Sequence, residues 1–239
     1  MSTRSAAVSA CAVAVDVALL TIRSGRLRLL LVEPEVPALA GSWALPGRRV
    51  RDDEDLDATA HRALDELAGV TAPDAHLEQL RTYGDVQRDP GGRVVSVAYL
   101  ALTPTPHGWP HGPRARLWDV EDVEDVGDRA GAGTAPRLAY DHVRIVPDAL
   151  ERARSRLEYT SLATAFVDEP FTLGQLRGVY EAVWGVALDP ANFRRKVLSA
   201  RGFVVPTAEH APPGPDGGRP ARRYRRGPAA QLHPAMLRP

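Results

Sequence analysis

Between Arg48 and Val70 the chain reads RRVRDDEDLDATAHRALDELAGV, with arginines and carboxylates at spacings that a helix would bring together. Arg48, Arg49, Arg51 and Arg62 offer guanidinium forks of the kind that grip a diphosphate. A hard cation such as Mg²⁺ would need carboxylates instead. On a helix, residues three and four apart share one face, and those neighbours of Glu66 are Arg62, Ala63, Gly69 and Val70, none of them acidic. Asp65 points roughly a quarter-turn away. A single carboxylate binds Mg²⁺ weakly and does not hold two ions for an in-line displacement. The segment therefore suits anion binding better than metal-assisted hydrolysis. A plainer account is an amphipathic helix with acids near its start and Leu56, Ala60, Ala63, Leu64 and Leu67 as its apolar stripe. In that account Arg62 pairs with Glu54 or Glu66 instead of touching a ligand.

A second constellation lies near the other end. Asp189-Pro190 opens a helix, with an N-cap acid and a proline in the first turn, and Gly202 stops it. Phe193, Val197 and Ala200 fall within about 60° of one another at 3.6 residues per turn and would face a core. Asn192, Arg195 and Ser199 then point outward, with Arg194 and Lys196 on the shoulders. Asparagine can read adenine and arginine guanine, while flanking cations neutralise phosphates. Downstream, Arg219, Arg222, Arg223, Arg225 and Arg226 form a cationic strip able to track a nucleic-acid backbone or probe a minor groove. A solvated tail is the plain alternative for the strip alone, but the arginine-bearing helix before it favours DNA.

Composition supports this division of labour. The 239 residues carry equal numbers of basic and acidic side chains, yet residues 1–150 hold 16 Arg against 22 acids and residues 151–239 hold 14 Arg and Lys against 8. The front half is thus net −6 and the back half +6, an opposition expected when one half meets a polyanion. A lone cysteine, Cys11, excludes an intrachain disulfide framework and a cysteine zinc cluster. His107 and His111 sit among prolines and glycine and are not a metal pair. The apolar run Ala6 to Ile22 is interrupted by Asp16 and alternates as a strand does, so it reads as a first core strand of a cytoplasmic protein, not a leader or membrane span.

The elements that must position these residues follow from periodicity. Cys11 to Ile22 and Leu27 to Glu33 read as a hairpin about Ser24-Gly25. Pro34 to Gly41 is loop, and WALPG leads into the Arg48–Val70 stretch. Leu77 to Tyr83, Val94 to Leu102 and Ala115 to Val120 read as strands; VVSVAYLAL is nearly all apolar, as for a strand buried on both faces. Glu121 to Pro136 is an acidic, glycine-rich loop whose Gly131-Ala132-Gly133 is no dinucleotide fingerprint. Arg137 to Leu157 is expected to be helical, with Leu138, His142, Ile145, Ala149 and Ala153 on one side and Pro147 as a kink or break. Leu157 to Val167 is a short helix, and Thr172 with Gln175 makes a capping box ahead of Leu173, Leu176, Val179, Tyr180 and Val183. Phe203-Val204-Val205, a loop over 208–218 and a strand from Arg219 to Arg226 complete the order of a winged helix. The tail from Gly227 to Pro239 shows no pattern.

The Arg48–Val70 stretch resembles a Nudix box, G-x5-E-x7-R-E-U-x-E-E-x-G-U with U a bulky apolar residue. It keeps Glu54, Arg62, Leu64, Glu66, Gly69 and Val70, and departs at Arg48, Ala63 and Leu67, the last two standing where the box has metal-binding glutamates. Together with RVVSVAYLAL, LAYDH, LEYTSLATAF, FTLGQL, ALDPANFRRKVL and GRPARRYR, nearly the whole chain resembles the Nudix-related transcriptional regulators of the NrtR family. The resemblance implies an α+β fold, a Nudix-like mixed sheet between helices followed by a winged helix-turn-helix domain. It implies an effector-binding domain over 1–150, a DNA-binding domain over 151–226 and a tail over 227–239. It further implies a homodimeric repressor of NAD or related nucleotide and sugar metabolism genes on a palindromic operator. ADP-ribose or a related nucleotide would be the effector, with no cofactor or metal required. The expected effector residues are Trp43, Arg48, Arg49, Arg51, Glu54, Arg62 and Glu66. The rival expectation is a Mg²⁺-dependent hydrolase of ADP-ribose-type nucleoside diphosphates with Glu54 and Glu66 as ligands. A third is a protein-interaction module that never touches DNA.

Overall fold

The structure, a computed structural model, describes residues 10–71, 75–104, 114–124, 135–212 and 220–239. His107, His111, Gly131 to Gly133 and Arg219 lie outside the described residues. Strands β1 (Ala12–Arg23) and β2 (Arg26–Val32) form the expected hairpin, turning at Ser24 and Gly25, both in the left-handed region. After a 3-10 turn at Pro37–Leu39 come β3 (Gly47–Arg49), α1 (Leu56–Ala68), β4 (His76–Tyr83), β5 (Val94–Leu102) and β6 (Ala115–Asp119). The sheet runs β4-β5-β1-β2-β6 with β3 paired to β1; β1 and β5 are parallel and the other pairs antiparallel. Helix α2 (Val120–Glu124) occupies the start of the segment expected to be wholly loop.

Helix α1 is built as its sequence dictates. The Asp55 carboxylate accepts from the Ala58 N–H at the N-terminus, and Gly69 at φ 65° ends it. Ala60, Ala63 and Leu64 are buried, and the helix packs on β1 and β3. On the other side of the sheet lies α3 (His142–Tyr159), which contacts β1, β4 and β5. It begins five residues later than the periodicity suggested. The Trp43 N–H donates to the Arg137 carbonyl at 2.7 Å, and the Ala139 N–H donates to the Trp43 carbonyl at 2.8 Å. That backbone is committed to a bridge with Trp43, so Leu138 cannot join the helix. Pro147 lies inside α3, which continues through it and past residue 150.

The back half follows directly. The segment expected as a first helix after α3 is a 3-10 run, Ser161–Phe166. Next come β7 (Phe171–Thr172), α4 (Leu173–Trp184), α5 (Pro190–Ser199), β8 (Val204–Ala211) and β9 (Ala221–Arg226), with sheet order β7-β9-β8. Thr172 and Gln175 form a full capping box on α4. The strands differ from expectation: β8 starts at Val204 and runs on to Ala211, through part of the expected loop, β9 starts at Ala221, and β7 adds a third strand by pairing Phe171 with Tyr224. Tyr180 stacks edge-on with Trp184 and Phe193, binding α4 to α5. One apolar cluster extends from Leu20 and Leu29 through Ile145, Leu157, Tyr180 and Phe193 to Met236, so the two halves share a core. Among the described residues no helix is long and apolar enough to cross a membrane.

Candidate functional site

A cavity of about 530 Å³ opens where β1, β3 and the start of α3 converge. Its lining includes Arg48, Arg49, Arg51, Arg88, Tyr140 and His142, with Glu33, Glu35, Asp16 and Asp89 among the acids. Of the seven expected effector residues, Arg48, Arg49 and Arg51 line it; Trp43, Glu54, Arg62 and Glu66 do not. The Trp43 ring instead sits edge-on to Trp118 at 5.2 Å.

Glu54, Arg62 and Glu66 form an ion-pair network beside the cavity. Arg62 donates through Nε to Glu54 Oε2 at 2.8 Å and through Nη2 to Glu54 Oε1, with a further bond from Nη2 to the Arg49 carbonyl at 2.9 Å. It also reaches Glu66 Oε2 from Nη1 at 3.4 Å. Arg48 Nε donates to Glu66 Oε2 at 2.9 Å, and Arg51 Nη2 to Glu66 Oε1 at 3.3 Å. Arg62 holds the Glu54 carboxyl down at about 2. Arg48 first, opposed by partial burial and aided by Arg62 and Arg51, holds Glu66 below the usual carboxylate range. Both Glu66 oxygens are thus engaged by guanidinium groups where a hard cation would need them free. Among the described residues no group of three His, Cys, Asp or Glu side chains is placed to hold a metal.

The floor of the cavity holds a second network that sequence reading missed. Asp16, on β1, accepts from Ser96 Oγ at 2.6 Å and from Arg88 Nη2 at 2.9 Å. Arg88 also forks onto Asp141, with Nη2 and Nε at 2.9 and 3.1 Å. His142 Nδ1 accepts from the Leu45 N–H at 2.9 Å, so Nδ1 carries a lone pair and Nε2 the proton, which faces Asp16 at 3.6 Å. Burial alone would raise the Asp16 carboxyl; the His142 Nε2–H, Ser96 and the charge of Arg88 outweigh it and hold it below the usual carboxylate range. Gly47 is required here, since a Cβ would run into Asp16 Oδ1 and the Val15 carbonyl. Tyr140, at φ 55°, is a non-glycine residue in the left-handed region at the cavity wall. One signal was available: a charge in an otherwise apolar strand must be paired. Nothing in the spacing said that the partner lay in the Arg88 turn.

The second site is the outer face of the winged helix. Phe193, Val197 and Ala200 are buried, while Asn192, Arg194, Arg195 and Ser199 are exposed. Arg195 Nη2 donates to Asn192 Oδ1 at 2.9 Å, pre-orienting two of the expected readers. Arg194 and Arg222 join Arg177, His210 and the α4 N-terminus around a groove of about 740 Å³; Arg177 and His210 were not anticipated. Arg225 is exposed on β9. Two expected contacts are committed elsewhere. Arg223 Nη1 donates to the Pro170 carbonyl at 2.7 Å, and Lys196 Nζ to the Leu237 carbonyl at 2.8 Å.

Comparison with known proteins bears on both halves of the chain. The NUDIX domain family model matches residues 12–140, and the NrtR DNA-binding winged helix domain model matches residues 163–226. The ADPR responsive transcriptional repressor NtrR of Acinetobacter baylyi is 31% identical over 216 residues, covering 88% of this chain and 80% of that protein. The crystal structure of Shewanella oneidensis NrtR complexed with a 27mer DNA superposes with a TM-score of 0.71 at 30% identity, covering 90% of this chain and 94% of that one. A cocrystal structure of the NUDIX domain of the same Shewanella protein complexed with ADP ribose matches with a TM-score of 0.51 at 30% identity, covering 61% of this chain and 90% of that one.

Proposed function

The chain belongs to the NrtR family of Nudix-related transcriptional regulators, and from that premise we propose that it is a DNA-binding repressor whose front half senses ADP-ribose or a related nucleotide without hydrolysing it. The observation that carries this reading is the state of Glu66: its carboxylate is paired with Arg48, Arg51 and Arg62 instead of standing free for a metal. With Ala63 and Leu67 beside it, the helix face retains the anion-binding half of the box chemistry and lacks the metal half. Arg48, Arg49 and Arg51 at the cavity wall offer donors to a diphosphate, and the Tyr140 ring lies within reach of the same space. Relatives that are an ADPR-responsive repressor and an NrtR bound to ADP ribose or DNA support the same assignment.

In this reading Asn192, Arg194, Arg195 and Ser199 read or approach the major groove, with Arg222 and Arg225 on the backbone. The protein acts as a homodimer on a palindromic operator in the cytoplasm, controlling NAD or related nucleotide and sugar metabolism genes. Helix α3 links the two sites. Its first residues, Asp141 and His142, belong to the cavity floor network, and its last turn accepts a bond from Tyr180 Oη of α4 at the Leu157 carbonyl. An effector that binds one arrangement of α3 more tightly than the other shifts the DNA-binding equilibrium by that difference. The test is a titration of labelled promoter DNA with and without saturating ADP-ribose. Release of DNA supports the assignment; an unchanged affinity refutes the effector. Incubation with ADP-ribose and Mg²⁺ is expected to yield no AMP.

A further inference from the structure

The segment after the wing matches neither family model, yet it is packed into the protein. Gly227 starts it against Gly202, where any side chain would collide with the Gly202 carbonyl, and the Ala229 N–H donates to that same carbonyl at 3.0 Å. The chain then crosses the end of α3. The Ala230 carbonyl accepts from Ser161, and the N–H groups of Leu232 and Met236 donate to the Tyr159 and Glu158 carbonyls at 2.8 Å each. Leu232 and Met236 are buried in the shared core. Arg238 closes the strap. Nη1 and Nη2 fork onto Glu151 at 3.0 and 2.6 Å, while Nε and the backbone N–H both donate to Glu158 Oε1. Between these anchors the Leu237 carbonyl receives the ammonium of Lys196.

We infer that this C-terminal strap seats the recognition helix, and that Lys196 is a positioning residue directed at the protein's own tail rather than a phosphate contact. Helix α5 has ten residues and is anchored inward chiefly by Phe193 and Val197. Such a short helix needs a lateral hold if Asn192 and Arg195 are to meet base edges in a fixed pose. Lys196 supplies that hold. It is half-buried, whereas Arg194 and Arg195 beside it are exposed. Because the adjoining residue, Arg238, is fixed to Glu151 and Glu158, the hold refers the pose of α5 to α3 and not merely to its own domain.

The inference rests on the DNA-binding reading, and the salt dependence of binding separates the two. Each phosphate neutralised by a protein cation contributes about 0.9 to the slope of log affinity against log salt. A duplex selected by the wild-type protein from random-sequence DNA serves as the probe, titrated by fluorescence anisotropy over a range of salt. Lys196→Met and Arg238→Ala are expected to weaken binding about tenfold, the worth of one charge-assisted hydrogen bond, with the wild-type slope retained. Lys196→Arg, which keeps the donor, is expected to restore most of the affinity. Arg225→Ala is the contrast, lowering the slope by about 0.9. A drop of that size for Lys196→Met, or undiminished affinity in a folded Arg238→Ala, overturns the inference while leaving the DNA-binding reading intact. Failure of the wild-type protein to select any duplex overturns both.

Discussion

The arginines of the cavity and those of the winged helix live under opposite electrostatic regimes. Around the cavity, Arg48, Arg51 and Arg62 converge on Glu54 and Glu66, Arg49 lies 3.9 Å from Asp89, and Arg88 is clamped between Asp16 and Asp141. On the outer winged-helix surface Arg194, Arg195 and Arg225 make no ion pair among the described residues. Internal carboxylates fix guanidinium forks in place, which suits recognition of one small anion of set shape. Unpaired arginines keep their field and their counterions, which suits a long polyanion whose binding is driven by releasing those ions. The same residue type thus serves shape in one region and charge in the other, and the neighbours decide which.

Breaking the paired regime should cost the most. Arg88→Ala leaves two buried carboxylates facing each other without a cation, and removing one partner of such a buried set is worth about 3–5 kcal/mol; urea unfolding of the variant measures it. The pH dependence sharpens the same point. The folded-state Asp16 carboxyl lies below its unfolded value, so its contribution is complete above about pH 4 and lost as pH falls through the folded value. That contribution is read as the portion of the acid unfolding slope that Asp16→Asn abolishes. In the unpaired regime the effects move to DNA. Arg195→Ala is expected to cost about 1–3 kcal/mol on the preferred operator and to relax base preference at one position, seen by competition with single-base variants. Arg225→Ala should show least, a uniform weakening across sequences detected by comparing specific with random duplexes.

How much of this was legible in the sequence depended on whether the governing contacts were local. Helix α1, the capping box at Thr172 and the buried face of α5 follow from residues a turn or two apart, and each stands where periodicity put it. The inner arginine network was half legible, since Arg62 and Glu66 are four apart on one helix. The Asp16–Arg88–Asp141 cluster was not, because its members are separated by 72 and 53 residues and only the sheet brings them together. Helix α3 was drawn too long for the same reason: the pairing of residues 137–139 with Trp43 overrides a pattern that looked helical. The tail showed no pattern because its anchors are single residues, Leu232, Met236 and Arg238, each meeting a different partner.

The burial of Ala63 has a consequence for reversibility. This residue, which the resemblance sets against a box glutamate, exposes none of its surface. Restoring a carboxylate there would place a charge in a site already closed over by packing, and restoring one at Leu67 alone would add an acid beside a carboxylate that three arginines already occupy. The first step lowers stability, because a carboxylate buried without a partner is costly. Ordinary side-chain volume thus stands against a return of charge at this position.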